Sequence, residues 1–161
     1  SLEVKYVLDT LKINSKILRP KKHNTIKKNM AQARSNRLNG LINFCIKNNI
    51  IHLFLGHHFD DNLETFVIRK IAGSNFEGLS SISDLSLRNH ILILRPLLKF
   101  TKKEIINFNL ENNINFLEDP SNLNLKFTRV AVRNFLKLDK NKILIQKDFL
   151  FLSAQVLLYK K

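Results

Sequence analysis

The segment Ile50-Ile51-His52-Leu53-Phe54-Leu55-Gly56-His57-His58-Phe59-Asp60-Asp61-Asn62-Leu63-Glu64-Thr65 joins an apolar run to a cluster of ionisable side chains. Its first six residues are apolar except His52, which predicts a strand buried on both faces of a parallel sheet and closed by Gly56. From about His58 the pattern becomes that of a helix reaching Ile71, with Gly73 as its C-terminal stop. On a helix, the spacing of four between His57 and Asp61 and of three between Asp61 and Glu64 stacks those side chains on one stripe. Asp60 lies one residue off the stripe and four before Glu64, so it either joins the cluster or faces solvent. Ligands of open α/β sheets bind outside the carboxyl ends of strands, so chemistry is expected at this handover.

Working outward, Ser1 to Leu11 reads as an amphipathic helix with Val4, Val7, Leu8 and Leu11 on one face, and Lys16 to Leu18 as a short strand. Ile26 to Asn49 is a long helical pattern with Lys27, Lys28, Arg34 and Arg37 in its first half. Ile91 to Leu94 is a second apolar strand, ended by Arg95-Pro96 because proline removes a ladder donor. Thr101 and Glu104 form a capping box that opens a helix through Glu111. Asp119-Pro120-Ser121-Asn122 make a turn, Phe127 to Leu136 a basic helix, and Ile143 to Leu158 a final apolar helix. Alternating strands and helices give the expected class: α/β, with a parallel Rossmann-like sheet and flanking helices.

The chain's 161 residues suffice for one domain. Lys and Arg number 27 against 13 Asp and Glu, a formal charge of +14, which favours a polyanionic partner, nucleic acid ahead of an acidic membrane. The single cysteine, Cys45, forms no internal disulfide or zinc cage, so an intracellular setting is expected. No apolar run approaches the roughly 20 residues of a spanning helix, and no membrane anchor is expected. The chain opens on Ser1 with helix already under way and reads as a piece of something longer.

Carboxylates beside imidazoles at a helix start can hold Mg²⁺ carried by a nucleotide, position an amine, or relay protons. A simpler reading, that Asp60 and Asp61 only complement the helix N-terminus, explains the acids but not the adjacent His57 and His58. A zinc hydrolase is disfavoured, since His-Glu-x-x-His is absent and no thiol lies nearby. Arg34 and Arg37 are three apart and Arg129 and Arg133 four apart, so each pair shares a helix face and offers planar forks suited to phosphate. Phe127 is a candidate base-stacking residue between Lys126 and Arg129, while His52 and Cys45 read as interior positions.

Taken in order, the strings Ala31-Gln32-Ala33-Arg34-x-x-Arg37, His57-His58-x-Asp60-Asp61-x-x-Glu64-Thr65, Arg69, Gly73-Ser74, Gly78-Leu79, Arg95-Pro96-Leu97-Leu98, Asp119-Pro120-Ser121-Asn122 and Phe127-x-Arg129-x-x-x-Arg133 resemble the tRNA(Ile)-lysidine synthetase family. These belong to the N-type ATP pyrophosphatases, or PP-loop proteins. The resemblance implies an adenine nucleotide alpha hydrolase-like fold, with residues 1–136 as part of the catalytic domain and 137–161 as a C-terminal helix or the start of a linker. It implies a ligase that activates the wobble cytidine of tRNA(Ile) with ATP and Mg²⁺, then joins L-lysine to it with loss of AMP. Asp61 and Glu64 would be the acidic pair of the pocket, with His57 and Asp60 beside them and Asp61 the contact to Mg²⁺. Arg34, Arg37, His58, Arg95, Arg129 and Arg133 would meet phosphates of ATP or tRNA.

The partners implied are tRNA(Ile), L-lysine and ATP, with no membrane; homodimer formation is left open, and the setting is the cytoplasm or an organellar matrix or stroma. The phosphate-cradling Ser-Gly-Gly-x-Asp-Ser string does not occur in the chain, whose four glycines are nowhere adjacent, so the chain alone should bind ATP poorly. Leu38 and Val130 also replace the usual tyrosine and asparagine. The competing readings are a non-catalytic tRNA-binding remnant, a tRNA thiolation ATP pyrophosphatase, disfavoured by the single cysteine, and a metal-dependent phosphoesterase using His57, Asp60, Asp61 and Glu64.

Overall fold

A computed structural model describes residues 2–18, 30–75, 78–79, 82–117 and 128–159. These divide into two compact units, residues 1–55, 85–94 and 106–119 in one, and 56–84, 95–105 and 120–161 in the other.

The first unit contains helices α1 (Leu2–Thr10) and α2 (Met30–Lys47) and strands β1 (His52–Phe54), β2 (Leu85–Arg88) and β3 (Ile91–Leu94). The strand order is β1-β3-β2. β1 runs parallel to β3, with His52 opposite Leu92 and Phe54 opposite Leu94. β2 runs antiparallel to β3, so the sheet is mixed where the sequence predicted a parallel one. β2 was not foreseen, because its turn is Asn89-His90 and lacks glycine. Both residues adopt left-handed φ, 48° and 64°, as required by the two-residue hairpin turn that matches strand twist. Ile91 and Ile93 of β3, with Leu53 of β1, pack on Ile42 and Cys45 of α2.

Several expectations change here. The run Ile50 to Leu55 yields only a three-residue strand, and it is not buried on both faces: Ile51 and Phe54 are 63% and 65% exposed. β1 is an edge strand, and α2 packs one face of the sheet. Lys16 to Leu18 form no strand; Lys16 instead places its ammonium 5.0 Å from the Phe44 ring centre. The long helix begins at Met30 within the described residues, so Ile26, Lys27 and Lys28 lie outside them, as do Lys126, Phe127 and the turn Asp119 to Asn122.

The second unit is built on α3 (Phe59–Ile71), a 3₁₀ turn at Pro96–Lys99, the start of α4 (Lys102–Glu111), α5 (Thr128–Leu136) and α6 (Asp139–Tyr159). The apolar spacing of α3 puts Leu63, Phe66 and Val67 on one face, where they meet Val132 and Leu136 of α5 and Phe149 of α6. Phe149 takes edge-to-face contacts from Phe59 at 6.0 Å and Phe66 at 5.6 Å, the geometry that aromatic quadrupoles favour. The ends of these helices follow local rules. Thr101 and Glu104 exchange the two capping-box bonds at 2.7 and 3.2 Å, as the sequence predicted. Gly73 closes α3 at φ 69°, with Ser74 N–H reaching back to Arg69 at 3.0 Å. Asn49 and Asn113 do the same for α2 and α4 at φ 55° and 53°, since asparagine tolerates the left-handed region.

Candidate active site

The first turn of α3 is assembled from short-range bonds. His58 is the N-cap in extended conformation, and its N–H donates to Asp61 Oδ2 at 3.1 Å. Phe59 N–H donates to the Phe100 carbonyl at 2.8 Å, which ties this turn to the segment before α4. Because the helix starts at Phe59, His57 lies outside it, and helical spacing does not stack His57 above Asp61. The imidazole beside the acids is that of His58, 3.8 Å from Asp60 and 3.6 Å from Asp61.

The three acids have different surroundings. Glu64 is only 2% exposed. Arg133 grips it with both arms of its fork, Nε to Oε1 at 2.7 Å and Nη2 to Oε2 at 3.1 Å. Arg129 adds a longer bond of 3.4 Å to Oε2 and donates to Thr65 Oγ1 at 3.2 Å. Hydrogen bonding to Glu64 holds the Arg133 guanidinium above its ordinary pKa against the opposing effect of burial, with Glu64, Asp61 and Asp60 charges adding to the rise. The second arginine pair is therefore turned onto a buried carboxylate, where spacing alone had suggested open forks for phosphate.

Asp60 neither faces solvent nor joins Glu64. Its Oδ2 accepts Lys102 N–H at 2.7 Å and its Oδ1 accepts Lys142 Nζ at 2.7 Å. Burial pushes the Asp60 carboxyl upward, but those two hydrogen bonds and the charges of Lys142 and His58 outweigh it and hold the pKa below the usual carboxylate value. A depressed carboxylate pKa contributes stability above its unfolded value of 3.8, lost as pH falls through the folded value. Asp60→Asn should accordingly cost about 1–2 kcal/mol near pH 7. In denaturant melts across pH, that gap should persist down to about pH 4 and close below it. A gap unchanged at pH 2 would exclude the charge as its cause.

Asp61 is the remaining acid. Its Oδ2 accepts His58 N–H, and among the described residues no lysine or arginine approaches it within ion-pair distance. Asn62, which the sequence reading passed over, is buried and accepts Ile82 N–H at 2.8 Å. Lys102 and Lys142 were also missed, because no spacing rule links them to Asp60. Arg95 donates from Nη1 to the Ser83 carbonyl at 2.7 Å, bracing the chain before β2. Arg34 and Arg37 lie on α2 in the other unit, the first half-buried and the second exposed.

Among the described residues no three His, Cys, Asp or Glu groups form a metal cluster. Asp60 and Glu64 are committed to cations, so the donor set of a metal phosphoesterase is not assembled. One open oxygen on Asp61 still suits Mg²⁺, which keeps its waters and binds through one or two carboxylates plus nucleotide phosphates.

Comparison with known proteins gives the site its context. The PP-loop domain matches residues 1–139. This chain belongs to the PP-loop domain family. Its α/β organisation agrees with that membership. The chain is 41% identical over 107 residues to the tRNA(Ile)-lysidine synthase of Orientia tsutsugamushi (strain Boryong), covering 66% of this chain and 24% of that protein. It is 40% identical over 122 residues to the tRNA(Ile)-lysidine synthase of Wolbachia sp. subsp. Brugia malayi (strain TRS), covering 75% and 28%. It is 34% identical over 131 residues to that of Anaplasma marginale (strain St. Maries), covering 81% and 28%. The PP-loop chain thus spans about a quarter of the length of these curated relatives. Among its described residues no helix is long and apolar enough to cross a membrane.

Proposed function

We propose that this chain is part of a tRNA(Ile)-lysidine synthase whose ligase chemistry converges on Asp61. In the first step ATP activates the wobble cytidine of tRNA(Ile) with a CAU anticodon as an adenylate, releasing pyrophosphate. In the second, the amine of L-lysine forms a carbon–nitrogen bond as the bond to AMP breaks, and the amine's proton passes to a base. The observation that carries this reading is the contrast among the three acids: Glu64 and Asp60 are held by cations, and Asp61 is left with an open carboxylate oxygen. A carboxylate in that state suits a cationic amine and its proton. In the activation step it is also the ligand this corner offers to Mg²⁺ carried by ATP.

Arg34 and Arg37 are assigned to phosphates, as paired guanidinium forks allow. Residues 1–136 are read as part of the catalytic domain, with a Rossmann-like parallel sheet completed in the longer protein, and residues 137–161 as the helix that braces it. A tRNA substrate places the reaction in the cytoplasm or an organelle. The test is transfer of labelled lysine to a tRNA(Ile) transcript by a protein that carries this chain together with a Ser-Gly-Gly-x-Asp-Ser segment. Transfer should require ATP and a wobble cytidine. Pyrophosphate release without lysine transfer would discard the ligase reading.

A further inference from the structure

Residues 60–64 bring three carboxylates into five positions, and the cations reaching them come from α5 and α6. Arg133 is hydrogen-bonded to Glu64 through both arms of its fork, and the charges of Asp61 and Asp60 add less to its surroundings. Lys142 neutralises Asp60, from the first turn of α6 and outside the residues 1–139 matched by the PP-loop domain.

We propose that Lys142 is a positioning residue: by neutralising Asp60 it leaves Asp61 as the carboxylate that receives the substrate amine. The inference rests on the lysine-ligase reading for its substrate, though not for its geometry. Asp60 has one oxygen on Lys102 N–H and the other on Lys142 Nζ, each at 2.7 Å, so its charge is already matched and it competes weakly for an incoming ammonium. Removing Lys142 exposes one oxygen of a half-buried anion next to Asp61. That oxygen competes for the lysine amine one residue from where it is needed. The consequence falls on the amine, while the arginines assigned to phosphate, Arg34 and Arg37 of α2, are untouched.

The test compares Lys142→Met, Lys142→Arg and the exposed-site control Lys147→Met in the protein that carries out lysine transfer. Lys142→Met should lower kcat/KM for lysine about fivefold, the upper end for one partly exposed ionic contact. KM for ATP should stay within about twofold, Lys142→Arg should restore most of the loss, and Lys147→Met should change nothing. Parallel losses toward lysine and ATP, or no loss, would overturn the proposal.

Amide exchange separates this proposal from the functional reading. His58 N–H, which donates to Asp61, should exchange about tenfold faster in Lys142→Met, with Phe66 N–H in the middle of α3 unchanged. Faster exchange in a protein that transfers no lysine at all would keep the positioning role and remove the ligase. Unchanged exchange at His58 would remove the positioning role whatever the activity.

Discussion

Arg133→Met is expected to destabilise the protein by about 3 kcal/mol, visible as a fall in melting temperature of roughly 6–12 °C by circular dichroism. Glu64 is closed off from water, and its two shortest bonds, 2.7 and 3.1 Å, both come from Arg133. Methionine fills much of the arginine's volume but returns no charge, so a buried carboxylate is left with the 3.4 Å contact from Arg129. Breaking a buried pair by removing one partner costs roughly 3–5 kcal/mol; the lower figure applies because a third of the Arg133 side chain is open to solvent. Arg129→Met should cost only about 1 kcal/mol, since its bonds are long. The double change Glu64→Met/Arg133→Met should recover much of the loss, because no uncompensated charge remains. Equal effects from the two arginines, or a melting shift below about 2 °C for Arg133→Met, would show that Glu64 is not anchored in this way.

Asp61→Asn is expected to lower lysine transfer by roughly 10²–10⁴-fold, the range a positioned acid or base contributes, with little change in melting temperature. The asparagine oxygen can still accept His58 N–H, which preserves the helix cap, but the amide neither attracts an ammonium nor takes its proton. Activity and stability therefore separate at Asp61 and fall together at Glu64, which distinguishes an acid that meets substrate from one that holds the scaffold. Asp61→Asn transferring lysine within about threefold of wild type would remove Asp61 from the proposed reaction.

This division between Asp61 and Glu64 was only half legible in the sequence. Their spacing of three on a helix was, and α3 does run from Phe59 to Ile71 as its pattern indicated. The pairing of Glu64 with Arg133, 69 residues away, was not. His57 was placed on the wrong footing by about one residue of helix boundary, a small displacement that replaces it with His58 between the aspartates. The antiparallel β2 escaped notice because Asn89-His90 performs a turn usually signalled by glycine.

Caps, stops and short apolar runs were settled by the sequence itself: the Thr101 and Glu104 box, the Gly73 stop and the Ile91 to Leu94 strand. Each depends on groups within about one helical turn or on alternation along one strand, so the local string contains the whole interaction. The state of each acid was decided by tertiary structure. Lys102 and Lys142 reach Asp60 across 42 and 82 residues, and Arg129 and Arg133 reach Glu64 across 65 and 69. A carboxylate's readiness for chemistry depends on which cations desolvation and packing bring within about 3 Å, and no periodicity in the chain encodes that.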